Sequence, residues 1–159
     1  MSSIHRMRLP AQGGVGLRLP HIEEAVATRP SAGWFEIHPE NFVANPHATE
    51  LLQDLAEHYP ISVHTVGLSV GSVTGIDRKH LDRVRTLIDL IDPVLVSCHL
   101  AWSTHQGEYL NDLLPLPYDR ATLDRVCGHI DRVQERLQRR MLLELLARER
   151  AGEDALYVG

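Results

Sequence analysis

Three histidines and one glutamate fall near the ends of short apolar runs: His38 closes "WFEIH", His64 lies in "ISVHTVGL", His99 in "VLVSCHL" and Glu144 in "MLLELL". Imidazole nitrogens and carboxylate oxygens together suit iron, manganese or zinc, and barrel enzymes assemble such sites from the ends of several strands. A single histidine at a strand end is more often a hydrogen-bonded structural residue. Recurrence at successive ends is what points to a metal.

Strand geometry decides whether these groups meet. Alternate residues of a strand face opposite sides, so Glu36 and His38 share a face, as do Ser62 and His64, Ser97 and His99, and Leu142 and Glu144. The other face carries Phe35 and Ile37, Ile61 and Val63, Val96, and Leu143. In a β/α barrel the apolar face packs on helices, and the second face points inward with its working groups at the C-terminal rim. By this parity Cys98 turns away from His99, toward the helix layer.

The elements that must hold these residues alternate along the chain. A fifth apolar run, "GVGLRL" (14–19), precedes the four above. Between runs, His80 to Asp92 sets Leu81, Val84, Leu87, Ile88 and Ile91 on one helical stripe. Leu123, Val126, Cys127, Ile130, Val133 and Leu137 form the next stripe, which makes Cys127 a buried small hydrophobe. Asn45 before Pro46, Asp77 and Asp119 are the helix starts, each able to accept a hydrogen bond from a first-turn amide. The stops are softer, with Arg139 and Arg140 suited to the negative end of a helix dipole. Strand and helix in alternation imply right-handed crossovers and a parallel sheet, an α/β protein. His5, His21, His47, His58, His80, His105 and His129 fall in helices or loops and read mostly as solvated.

Composition narrows the partners. A chain of 159 residues that is 43% hydrophobic and 23% charged has the size and make-up of one globular domain. A formal charge of −5, with arginines scattered among acids, argues against nucleic acid. Two cysteines make no disulfide framework and suit a reducing, cytoplasmic setting. "MSSIHRMRLP" has no apolar signal region, and no run approaches the ~18 apolar residues of a membrane span. "GGVG" and "VGLSVGS" lack the pattern of a phosphate-cradling loop, and no nucleophile elbow occurs.

The stretches "GVGLRLPHIEE", "WFEIHPENF", "SVHTVGLSVGS", "LVSCHLAWSTHQGEYLNDLLPLPY" and "DRVQERLQRRMLLE" resemble, in order, the multinuclear non-haem iron-dependent oxidases, the family that includes the methanobactin-biosynthesis oxidases. The resemblance covers about residues 13 to 144, and "GEYLNDLLPLPY" is its most specific part. It implies a (β/α)8 TIM barrel holding two or three iron ions. It also implies oxidative modification of cysteine residues in ribosomally made precursor peptides, with a small partner protein presenting the peptide. Carried over by position, it makes His38 and His64 iron ligands, Glu144 part of the metal shell, and Cys98 the occupant of a ligand position, where parity favours His99. Glu36 and Asn41 are candidate substrate contacts in the same stretches. Trp102 to Tyr118 reads as a long ordered loop over the rim, with Trp102, Asn111, Asp112 and Tyr118 lining a peptide channel.

Two positions depart from the family pattern: Cys98 stands where an acidic residue is usual, and Leu145 where asparagine is usual. A thiolate is a soft, oxidisable substitute for a bridging carboxylate. A full barrel takes about 250 residues. The expected organisation is therefore an N-terminal arm (1–13), the first four β/α units and fifth strand of a truncated barrel (14–146), and a charged tail (147–159). Three functions remain open: an iron-dependent peptide-modifying oxidase, another metal-dependent barrel enzyme of the sugar-isomerase kind, and a non-catalytic remnant that keeps a peptide- or partner-binding rim.

Overall fold

A computed structural model describes residues 8–105 and 108–145. In chain order the strands are β1 (Gly14–Gly16), β2 (Trp34–Ile37), β3 (Ile61–Thr65), β4 (Leu95–His99), β5 (Trp102–His105), β6 (Glu108–Leu114) and β7 (Leu142–Glu144). The helices are α1 (Ile22–Thr28), α2 (Pro46–Ala56), α3 (Arg78–Ile91) and α4 (Arg120–Leu137). Five strands form one sheet in the order β1-β2-β3-β4-β7, and every pairing in it is parallel. The expected α/β class and parallel sheet are what the chain adopts.

Strand order advances in one direction without a reversal, so right-handed crossovers put every helix on one face. Neighbouring helices accordingly touch in sequence, α1 on α2, α2 on α3 and α3 on α4. Consecutive units of a β/α barrel have this arrangement, with one face of the sheet left for the interior. The core lies between sheet and helices. Phe35, Ile37, Ile61, Val63, Val96 and Cys98 meet Leu52, Leu55, Val84, Leu87, Ile88, Val133 and Leu137 there, all of them buried.

Helix starts follow their caps. The Asn45 side chain accepts from the Ala48 amide at 3.1 Å, Asp77 from Lys79 and His80 at 2.8 and 3.2 Å, and Asp119 from Thr122 at 2.7 Å. The stops lack glycine: Arg29, Asp92 and Gln138 cap α1, α3 and α4 in the left-handed region, at φ of 48°, 41° and 54°. Arg139 does not serve the end of α4 as its charge suggests. Its guanidinium donates to the Pro93 carbonyl at 2.7 Å and pairs with Asp92, tying the entry of β7 to the entry of β4.

The stripe of α4 is buried as expected at Val126, Val133 and Leu137 but differs on its flank. Thr122, Val126, His129, Val133 and Leu137 are its buried residues, while Leu123 and Cys127 are exposed. Cys127 is thus a surface thiol and not a buried hydrophobe. Two histidines expected in solvent are buried instead: His129, whose Nδ1 lies 2.8 Å from the Val70 carbonyl, and His80. Among the described residues no helix is long and apolar enough to cross a membrane.

Candidate metal centre

The C-terminal ends of β2, β3, β4 and β7 lie side by side, so the register of the sheet brings their last residues together. His64 is level with Ser97 across β3 and β4, and His99 is level with Glu144 across β4 and β7. Odd and even positions separate as the pleat requires. On the inner face the His64 and His99 rings meet edge to face with centroids 4.5 Å apart. Their Nε2 atoms face each other at 2.9 Å. Glu144 Oε2 lies 3.7 Å from His64 Nε2 and 3.7 Å from His99 Nδ1. One ligand atom from each of His64, His99 and Glu144 falls within 4.8 Å of the others.

Several details suit this set to a cation. Two imidazole nitrogens bound to one ion at ~2.1 Å in neighbouring positions are ~3 Å apart, and without a shared proton or cation their lone pairs repel. The His99 Nδ1 atom, buried and without a hydrogen-bond partner among the described residues, faces the Glu144 carboxylate while Nε2 faces His64, so a single ion takes one of the two nitrogens and leaves the other to a proton. Burial lowers the affinity of His99 for a proton, and the neighbouring His64 lowers it further. A neutral imidazole keeps the lone pair that binds a metal. His64 is held from behind, its Nδ1 hydrogen-bonded to Ser97 Oγ at 2.7 Å. An outer partner of this kind fixes ring orientation and tautomer in metal-binding histidines.

The remaining candidates are distributed more widely. His38 follows β2, is exposed, and sets its ring 5.6 Å from that of His64, beside the trio but outside the 4.8 Å group. Burial lowers its pKa, and His64 lowers it further. Glu36 shares this face and accepts a hydrogen bond from Ser62 Oγ at 3.3 Å. Asn41 is exposed at the end of the turn Pro39–Asn41. Cys98 lies on the opposite face, 1% exposed within the core, with its thiol pushed up to about 12 by burial. The thiol is packed against helices and takes no part in the trio, as parity indicates. Leu145 is 54% exposed just beyond Glu144.

The segment from Trp102 to Tyr118, expected as a long ordered loop, contains two strands. β5 and β6 pair antiparallel as a separate two-stranded sheet, with an irregular register between Trp102 and Thr104. The Ser69 hydroxyl anchors its base, accepting from the amides of Ser103 and Thr104 at 2.8 and 3.2 Å. Trp102 donates its indole N–H to the Pro115 carbonyl at 2.9 Å. Asn111 and Asp112 are exposed on β6, and Tyr118 is 96% exposed beyond it.

Glu40 and His80, which the strand pattern does not pick out, form a further pair. Glu40 Oε1 accepts from the Gly67 amide at 2.7 Å and from His80 Nε2 at 3.2 Å. Burial would raise the Glu40 carboxyl, but these hydrogen bonds outweigh it and hold it below its ordinary value. The signal for His80 lay in the helical period, since it is four residues before Val84 on the buried stripe of α3.

Comparison with known proteins gives this geometry a family. Residues 12–155 match the family model described as RiPP precursor modification enzyme MbnB/TglH/ChrH. A UPF0276 protein of Vibrio vulnificus (strain YJ016) is 49% identical over 132 residues, covering 82% of this chain and 45% of the relative. A UPF0276 protein of Chromobacterium violaceum is 46% identical over 139 residues, covering 87% of this chain and 50% of its own length. The chain thus spans about half the length of the curated relatives it matches. Among solved structures, a D-allulose 3-epimerase from Methylomonas sp. aligns over 89% of this chain and 53% of its own, with a TM-score of 0.46 and 15% identity. With its family match extending over nearly all of the sequence, the chain belongs to the MbnB/TglH/ChrH family of RiPP precursor modification enzymes.

Proposed function

We propose that the chain supplies the N-terminal wall of an iron site that oxidatively modifies cysteine residues of a ribosomally made precursor peptide. The observation that carries the reading is the convergence of His64, His99 and Glu144 on one inner face within 4.8 Å. These three residues would hold one ion, with His38 beside it as a further nitrogen. Bound iron would supply oxygen activation. The chain's own residues lower the proton affinity of His38 and His99 by burial, orient His64 through Ser97, and present the paired strands β5 and β6 with Trp102, Asn111 and Asp112 for a peptide to lie against. A small peptide-presenting partner and a cytoplasmic setting belong to the same reading, and two free thiols suit the latter.

The three ligands lie on one side of the site only. Cys98 contributes nothing where a carboxylate is usual, and relatives about twice as long supply more chain than is present here. The chain alone therefore binds an ion weakly and does not turn over peptide. The test is anaerobic iron loading, metal analysis, and oxygen uptake with a cysteine-containing precursor peptide. The chain alone and the chain joined to the remaining half of a relative are compared. Peptide-dependent uptake only by the joined protein is the expected result. Two or more tightly bound irons with peptide-dependent uptake by the chain alone overturn the partial-site reading, and an iron-loaded joined protein inert to every peptide overturns the oxidase reading.

A further inference from the structure

Glu40 has no place in the ligand set, yet it joins the two turns that carry His38 and His64. It lies in the turn Pro39–Asn41, two residues after His38, and reaches across to the amide of Gly67 in the turn Val66–Leu68, three residues after His64. The same oxygen accepts from His80 Nε2 in the first turn of α3, whose own amide is fixed by Asp77. One carboxylate oxygen thereby links the β2 end, the β3 end and the helix that follows β3. The fit is close. A Cβ at Gly67 would lie 2.9 Å from Glu40 Oε1 and 3.1 Å from His80 Nε2, so a side chain there would push the carboxylate and the imidazole from their present places.

We propose that Glu40, backed by His80, is a positioning residue that sets the gap between His38 and His64 and so decides whether His38 joins the ion held by His64, His99 and Glu144. The proposal rests on the metal reading above. Its mechanical part, the gap between two rings 5.6 Å apart at their centroids, can be read without metal. Charge is not the agent here. Both donors, the Gly67 amide and the His80 imidazole, need only an oxygen acceptor at the Oε1 position, which a glutamine also provides.

The experiment uses the whole chain with Glu40→Gln, Glu40→Ala and Gly67→Ala. Imidazole Cε1–H resonances are recorded without metal, cobalt(II) is titrated by its visible absorption, and thermal melts establish that each variant is folded. Glu40→Ala and Gly67→Ala should move the His38 and His64 resonances, leave that of His58, beyond the far end of α2, in place, and weaken cobalt binding about 10- to 100-fold. Glu40→Gln should restore both readouts. A purely stabilising Glu40 would lower the melting temperature and move neither. Folded Glu40→Ala with wild-type resonances and cobalt affinity overturns the proposal. If Glu40→Ala does not fold, Gly67→Ala and Glu40→Gln decide by the same criteria. If the wild-type chain binds no cobalt, the metal reading fails by itself, and the resonances alone decide the positioning claim.

Discussion

Replacing Ser97 with alanine separates a metal ligand's support from the stability of the sheet that carries it. Ser97 is 9% exposed and His64 6%, and the 2.7 Å hydrogen bond between them lies on the inner face between β3 and β4. The substitution removes one oxygen and leaves the Ser97 carbonyl, which accepts from Thr65 Oγ1 at 2.8 Å, in place. A buried imidazole nitrogen that loses its partner costs about 1–3 kcal/mol of folding stability. Loss of the group that orients a metal-binding histidine costs about 10- to 100-fold in metal affinity, or about 1.4–2.8 kcal/mol. Urea unfolding of the metal-free protein measures the first quantity and cobalt(II) titration below the unfolding transition measures the second. Both should fall. A folded Ser97→Ala protein that binds cobalt as the wild type does would refute the claim that Ser97 orients a ligand, and would leave it a structural hydrogen-bond partner.

Other outcomes follow from burial and exposure. Leu52→Ala, at a fully buried position on α2 facing the sheet, should cost about 2–5 kcal/mol in urea unfolding, with metal affinity unchanged in the folded protein. A thiol reagent at pH 8 should label Cys127 quickly and Cys98 only on unfolding, since Cys98 is 1% exposed with its thiol raised to about 12; equal rates would contradict the core placement. In a full-length relative, alanine at the positions of Asn111 and Asp112 should weaken peptide binding measured by fluorescence anisotropy, and unchanged affinity would remove the hairpin from the peptide path.

Much of this architecture could be read from local rules. Asn45, Asp77 and Asp119 mark helix starts because a short acceptor side chain there has a definite partner, a first-turn amide. The ends were less legible, since arginine, aspartate and glutamine occupy left-handed caps where glycine would have been the cue. Strand parity separated His99 from Cys98 correctly because a period of two leaves no intermediate position. The α4 stripe was only partly legible for the opposite reason. A helical residue turns about 100° per step, so Val126, Val133 and Leu137 were placed correctly while the flank of the stripe was drawn through Leu123 and Cys127, which are exposed, and not through the polar Thr122 and His129, which are buried. β6 was missed because Asn111 and Asp112 interrupt apolar alternation within an irregular register. The Glu40–His80 pair is long-range, spanning 40 residues, and only the adjacency of two turns reveals it.

On the proposed reading, His64, His99 and Glu144 hold one ion between them. Equilibrium dialysis of the chain against iron(II) under anaerobic conditions, followed by metal analysis, tests it directly. His64→Ala, His99→Ala and Glu144→Ala are measured beside the wild type, each shown to be folded by circular dichroism. One ion per chain in the wild type, lost in each of the three variants and retained in His58→Ala on the far surface, is the expected result. Undiminished iron binding by folded His64→Ala and His99→Ala would contradict the site.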